Sequence, residues 1–189
     1  MNFLTGSFKI GKLFGINIRI HILFVLWIAF RLFYAGTDMR WTLFFLSMLF
    51  GIILLHELGH CFGARAVGGD ARDIMMWPLG GLAFAHAPMR PWPQFVTVAA
   101  GPLVNVVLCL LSALAIFIVT NGGILPGINP LHPSYHIVGD NPTLPSSFFY
   151  LRVFYYVNLW LLAFNLLPIY PLDRSEEHTS ELQSLRTIS

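Results

Sequence analysis

The sequence predicts an all-α membrane protein, a polytopic bundle of about four transmembrane helices with a small membrane-associated β segment. Three observations point there. Of 189 residues, 56% are hydrophobic and only 11% are charged, against about 25% charged in an average soluble domain. A chain this short still has much surface to keep wet, so a large core does not account for the deficit. Long apolar runs recur, separated by stretches rich in Gly and Pro, which is the pattern of successive spans. Finally, one concentrated polar group, His56-Glu57-Leu58-Gly59-His60, lies inside an apolar run. The net charge of +2 is too small to suggest a nucleic-acid partner; the lipid bilayer is the expected surroundings.

The elements follow in chain order. Residues 7–20 contain alternations such as Ile16-Asn17-Ile18-Arg19-Ile20, and period two predicts a strand or hairpin near the membrane surface. No short apolar stretch there ends in a small-residue cleavage site, so the N-terminus does not read as a signal peptide. A first spanning helix is expected over about 21–35, with Arg31 near its far end extending its charge to the interface. Gly36-Thr37-Asp38 makes a tight connection. The second helix covers about 41–66, with Trp41 as interfacial anchor.

Residues 67–93 contain four Gly and four Pro among apolar residues. That is too broken for a spanning helix and too apolar for an ordinary loop. A re-entrant or membrane-embedded β-hairpin fits, with protein shielding its backbone from lipid. The third helix runs over about 93–120, where Gly101-Pro102 predicts a kink or close packing. A polar, Pro-rich loop spans 121–146. The fourth helix covers about 147–167, after which Pro168 and Pro171 force an extended exit. Cys61 and Cys109 fall within apolar segments and read as small buried residues, with neither a disulfide nor a Cys metal site implied.

Lys and Arg counts set the orientation. Lys9, Lys12 and Arg19 precede the first helix, and Arg65, Arg72 and Arg90 lie around the Gly/Pro-rich segment. Only Arg40 stands in the first intervening loop, and Arg152 falls within the fourth helix. The N-terminus and the Gly/Pro-rich segment, with the end of the second helix that leads into it, are therefore expected on the cytoplasmic side of a cell membrane crossed several times.

HELGH is an H-E-x-x-H motif. On a helix, residues four apart share a face, so His56 and His60 can offer imidazole nitrogens to one Zn²⁺. Glu57 can then act as general base on a metal-activated water. Three ionisable residues within five positions are costly in an apolar helix, which makes a functional site the default reading and a buried polar cluster the alternative. A catalytic zinc takes three protein ligands and leaves one position open. The expected topology returns the chain to the same half of the membrane after the fourth helix, with the motif roughly 12 Å deep. Asp173 there is a candidate third ligand, and an exposed loop aspartate is the equally weighted alternative.

HELGH, the Gly-Gly segment after it, GPLVN (Gly101–Asn105) and NLLPIYPLD (Asn165–Asp173) together resemble the site-2 protease family of intramembrane zinc metalloproteases. The resemblance covers about residues 7–173. It implies His56, His60 and Asp173 as ligands of one catalytic Zn²⁺ and Glu57 as base. It places Asn165 where it can donate to the substrate carbonyl or the developing oxyanion; a helix-end asparagine bonded to backbone is the alternative. It implies endopeptidase activity on membrane-anchored regulatory proteins. Gly101 would allow close helix packing, and Asn105 an interhelical bond or a contact with the site. The strand region 73–86 could offer an edge to an unwound substrate. His21, His86, His132 and His136 are isolated and read as surface or packing residues.

The sequence departs from the family where Gly is expected after Asp173: residue 174 is Arg. Arg174–Ser189, RSEEHTSELQSLRTIS, resembles the translation of a common sequencing-library adapter, and such a tail is excluded from fold reasoning. The domain is thus expected as residues 1–173, truncated before the family's later helices, with 174–189 non-native. Competing functional readings are a metal-binding membrane transporter and an inactive truncated homologue.

Overall fold

A computed structural model describes residues 6–78, 80–138 and 144–166. The order is β1 (Ser7–Leu13), β2 (Ile16–His21), α1 (Ile22–Phe33), α2 (Met39–Ala66), β3 (Asp70–Trp77), β4 (Gly80–His86), α3 (Pro91–Val119), β5 (Ile124–Pro126), β6 (Tyr135–Ile137) and α4 (Ser146–Leu166), with a 3-10 turn at Gly36–Asp38 before α2. In lipid, a backbone must satisfy its own hydrogen bonds, so the apolar runs fold as helices.

Among the described residues, α2, α3 and α4 are long and apolar enough to cross a membrane. Helix α1 is shorter than expected. Its 12 residues rise about 18 Å, against a hydrocarbon core about 30 Å thick. It starts one residue later than expected, because His21 closes β2 and its imidazole caps α1 by accepting the Leu23 N–H at 3.2 Å, and it stops two residues earlier, at Phe33. Three long helices and one short apolar helix thus stand where about four spans were expected.

Both expected β regions are present, and they form one sheet. Its order is β1-β2-β3-β4. The outer pairs are antiparallel, while β2 and β3 run parallel with Ile18 opposite Ile74. Parallel neighbours need a crossover, and α1 and α2 supply it. Ile16, Ile74, Met76 and Ala71 from the sheet pack with Ile53, Leu58 and Cys61 of α2 and Phe24 of α1.

The β1–β2 turn is held from α2. Phe14 and Gly15 both have positive φ, 51° and 81°, as a two-residue hairpin turn of this hand requires. A non-glycine residue is uncommon there. The Phe14 carbonyl accepts from Arg65 Nη1 at 2.7 Å, and its ring meets Phe62 edge-on at 5.4 Å. Arg65 Nη2 also donates to the Ala71 carbonyl at 2.5 Å. One guanidinium therefore ties the end of α2 to β3 and to the hairpin.

The long helices lie against one another with alternating direction. Gly59 faces Ala100 and Gly63 faces the Val96–Ala100 stretch, so α2 and α3 are antiparallel. Trp41 meets Phe149 with ring centroids 5.2 Å apart, and Phe44 meets Tyr150 at 4.8 Å. The N-terminal ends of α2 and α4 therefore lie together, and these two helices run in the same direction. A second core joins Cys109 and Ile116 of α3 with Tyr155 and Tyr156 of α4. Both cysteines are free and buried.

The segment expected to be only loop, 121–146, contains the short β5–β6 hairpin. The Tyr156 hydroxyl donates to carbonyls of Gly127 and Ser134. Arg152 carries its charge out of α4 to the Pro133 carbonyl and over the Tyr135 ring.

A Cβ at Gly63 would come within 2.7 Å of Ala100 Cβ. Gly63→Leu is expected to destabilise the α2–α3 contact by about 1–3 kcal/mol through overpacking, read as a lower melting temperature in detergent. An unchanged melting temperature would show that the helices separate at no cost.

Candidate metal centre

His56, Glu57 and His60 sit within the C-terminal half of α2, where it lies between α3 and the sheet. His56 is 4% and Glu57 7% exposed, so the polar side chains face protein rather than lipid. The helical spacing sets His56 and His60 one turn apart, and their Nε2 atoms stand 3.1 Å from each other. Two imidazoles on a tetrahedral zinc, with Zn–N near 2.05 Å, hold their nitrogens about 3.3 Å apart.

The hydrogen positions follow from the partners. His60 Nδ1 lies 2.8 Å from the Thr97 carbonyl of α3. A carbonyl only accepts, so in neutral His60 the hydrogen is on Nδ1 and the Nε2 lone pair is aimed at His56. This is the arrangement in which a metal-binding imidazole is fixed through its other nitrogen. Approach this close requires Gly101, because a Cβ there would run into the His60 ring. The expected close packing at Gly101-Pro102 is thus realised against a site residue, within a helix continuous from Pro91 to Val119.

Glu57 turns toward the sheet. A Cβ on Gly81 of β4 would overlap the Glu57 side chain, so glycine there lets the strand backbone lie directly against the carboxylate. β4 is the last strand of the sheet and pairs on one edge only among the described residues. Neither Gly81 nor the Thr97 carbonyl was singled out from sequence. The Gly80-Gly81 pair was a signal of close backbone approach, whereas a carbonyl leaves no trace in residue identity.

The other expected residues are placed as follows. Asp173 lies outside the described residues, and no group of three His, Cys, Asp or Glu side chains that could hold a metal occurs among the described ones. Asn165 is exposed in the last turn of α4, and its amide donates to the Leu161 carbonyl at 2.8 Å. His86, His132 and His136 are exposed. Asn105 is fully buried beside His56.

Two converging imidazoles, one held in the tautomer that leaves Nε2 free, with an adjacent carboxylate, are the residue types a metal-dependent hydrolase uses. The profile of Peptidase family M50 matches residues 44–175, from α2 through α4 and beyond, and the chain belongs to that family. It is 28% identical over 177 residues to zinc metalloprotease MJ0392 of Methanocaldococcus jannaschii, covering 88% of this chain and 43% of that protein. A protein of Synechocystis with zinc metalloprotease in its name is 29% identical over 185 residues, covering 90% of this chain and 43% of the relative. The chain thus spans less than half the length of these relatives. The solved site-2 protease of M. jannaschii has the same fold, with a TM-score of 0.63 at 24% identity, over 94% of this chain and 72% of that one.

Gly101→Ala would push the His60 ring out of line. A loss of about 10- to 100-fold in zinc affinity is expected, as for other changes to the groups that orient a ligand, measured by competition with a chromophoric chelator. Wild-type affinity in this variant would mean that His60 is not held by the α3 backbone.

Proposed function

We infer that the chain is the catalytic part of a zinc-dependent intramembrane endopeptidase that cleaves membrane-anchored, regulatory proteins. The observation that carries this is the convergence of the His56 and His60 Nε2 atoms beside Glu57, next to the open edge of β4. His56 and His60 would hold one zinc ion, with Asp173 as third ligand.

Helix directions support Asp173. Trp41 packs on Phe149, and His56 lies about fifteen residues further along α2, roughly 22 Å by helical rise. Tyr150 to Leu166 covers about 24 Å in the same direction. The chain therefore leaves α4 near the level of the histidines.

Bound zinc acts as a Lewis acid and raises the acidity of water. The rest belongs to this chain. A transmembrane substrate must unwind before its peptide bonds are accessible, and an extended segment can pair with the free edge of β4 as an added strand. Gly81 then brings that segment close to Glu57. Glu57 takes a proton from the attacking water as the oxygen–carbon bond forms, and delivers it to the amide nitrogen as the carbon–nitrogen bond breaks. Asn165 would donate to the carbonyl oxygen as its charge develops, once its amide leaves Leu161. The charge bias around Arg65, Arg72 and Arg90 supports a cytoplasmic position for this end of the bundle. Residues 174–189 take no part in this account.

The decisive experiment uses a full-length clone with the natural C-terminus. Glu57→Gln is expected to reduce cleavage of a membrane-anchored substrate at least 100-fold while zinc, measured by mass spectrometry, stays bound. Asp173→Asn is expected to lose the metal. Undiminished cleavage by Glu57→Gln would reject the mechanism, and full zinc content in Asp173→Asn would reject the third ligand.

A further inference from the structure

Four side-chain atoms are buried without a hydrogen-bond partner among the described residues: His56 Nδ1, Asn105 Nδ2, Asn105 Oδ1 and Asn158 Oδ1. They lie on α2, α3 and α4, one long helix each. Asn105 and Asn158 are both 0% exposed and His56 is 4% exposed, so no bulk water reaches them. Buried polar groups in native structures are nearly always paired, and more strictly so in lipid.

The three residues share one level. Asn105 adjoins His56, as does the backbone of Gly101 one turn before it on α3. Between α3 and α4 the register is marked by Cys109 Sγ, which lies 3.9 Å from the Tyr155 carbonyl. Asn105 is about one turn before Cys109, and Asn158 about one turn after Tyr155. In antiparallel helices these two steps go the same way, so the two amides meet at similar depth.

The proton inventory then pairs the four atoms. For the two Nε2 lone pairs to converge on one cation, the His56 hydrogen must sit on Nδ1, as it does on His60. His56 Nδ1–H is then a donor and Asn105 Oδ1 is its acceptor. Asn105 Nδ2–H is a donor and Asn158 Oδ1 is its acceptor. Asn158 is itself anchored, its Nδ2 donating to the Phe154 carbonyl at 2.9 Å. Two donors and two acceptors leave none of the four atoms over.

We propose that Asn105 is a positioning residue of the metal site: it accepts the Nδ1 hydrogen of His56, fixes its tautomer and ring plane, and is held in turn by Asn158 of α4. The two histidines are thus oriented differently, His60 by a backbone carbonyl and His56 by a side-chain relay across three helices. This rests on the zinc reading above.

The test measures zinc affinity of the full-length protein in detergent by chelator competition. Asn105→Leu is expected to bind zinc about 10- to 100-fold more weakly. Asn105→Asp, which keeps an acceptor oxygen, is expected to bind at least as tightly as wild type. Asn158→Leu should show a smaller loss, and adding it to Asn105→Leu should cost nothing more. Wild-type affinity in Asn105→Leu, or equal losses in the Leu and Asp variants, would overturn the proposal. A wild-type protein that binds no zinc would instead remove the metal reading beneath it. Should Asn105→Leu fail to fold, long-range ¹⁵N–¹H spectra of zinc-loaded wild type decide the matter. A protonated, slowly exchanging His56 Nδ1 supports the relay, and hydrogen on Nε2 refutes it.

Discussion

The close approach of α2 and α3 is the constraint on which the rest of the molecule depends. Gly59 and Gly63 on one helix and Gly101 on the other remove the side chains that would hold them apart. In lipid there is little hydrophobic drive between helices, so packing of this kind supplies the attraction. At that separation the Thr97 carbonyl reaches His60 Nδ1. The contact that joins the two helices is therefore also the contact that orients a site residue. Stability and chemistry share the same few ångströms here, which explains why the small residues crowd around the HELGH turn.

The sheet plays the complementary part on the other side of α2. Its buried face, through Ile74 and Met76, packs on Leu58 and Cys61, the residues that alternate with the polar ones along the helix. α2 thus presents His56 and His60 toward α3 and Glu57 toward β4. The histidine pair and the strand-facing carboxylate thus leave α2 on different sides, yet stay within about one turn of each other. Arg65 completes the frame by tying the end of α2 to the Ala71 and Phe14 carbonyls. A charge near the membrane surface is used there as a three-way bracket.

Much of this was legible in the residue order. Apolar runs located α2, α3 and α4 to within a few residues, because lipid leaves such runs no alternative to a helix. The HELGH spacing located the two histidines and the glutamate on one helical turn. Alternation at Ile16–Ile20 and the glycines of 67–93 located the strands. What alternation does not carry is the partner: Asn17 and Asp73, joined by a 3.2 Å hydrogen bond, are far apart in sequence, so the union of two β regions in one sheet was not visible. α1 keeps close to its expected bounds, starting one residue later and ending two residues earlier. Asn158 also escaped notice. A single asparagine in an apolar helix gains meaning only from what faces it.

The parallel pairing of β2 with β3 has a consequence for assembly. Long-range pairings form late, after the chain between them is in place. β2 leaves synthesis well before its neighbour, and it waits unpaired on that edge until α1 and α2 have been made. The helix that carries HELGH must therefore reach its position before the sheet beside it can close. Whatever enters along the outer edge of β4 therefore meets a sheet that is complete only once the helix carrying HELGH is seated, and until then the unpaired side of β2 is a strand edge open to its neighbours.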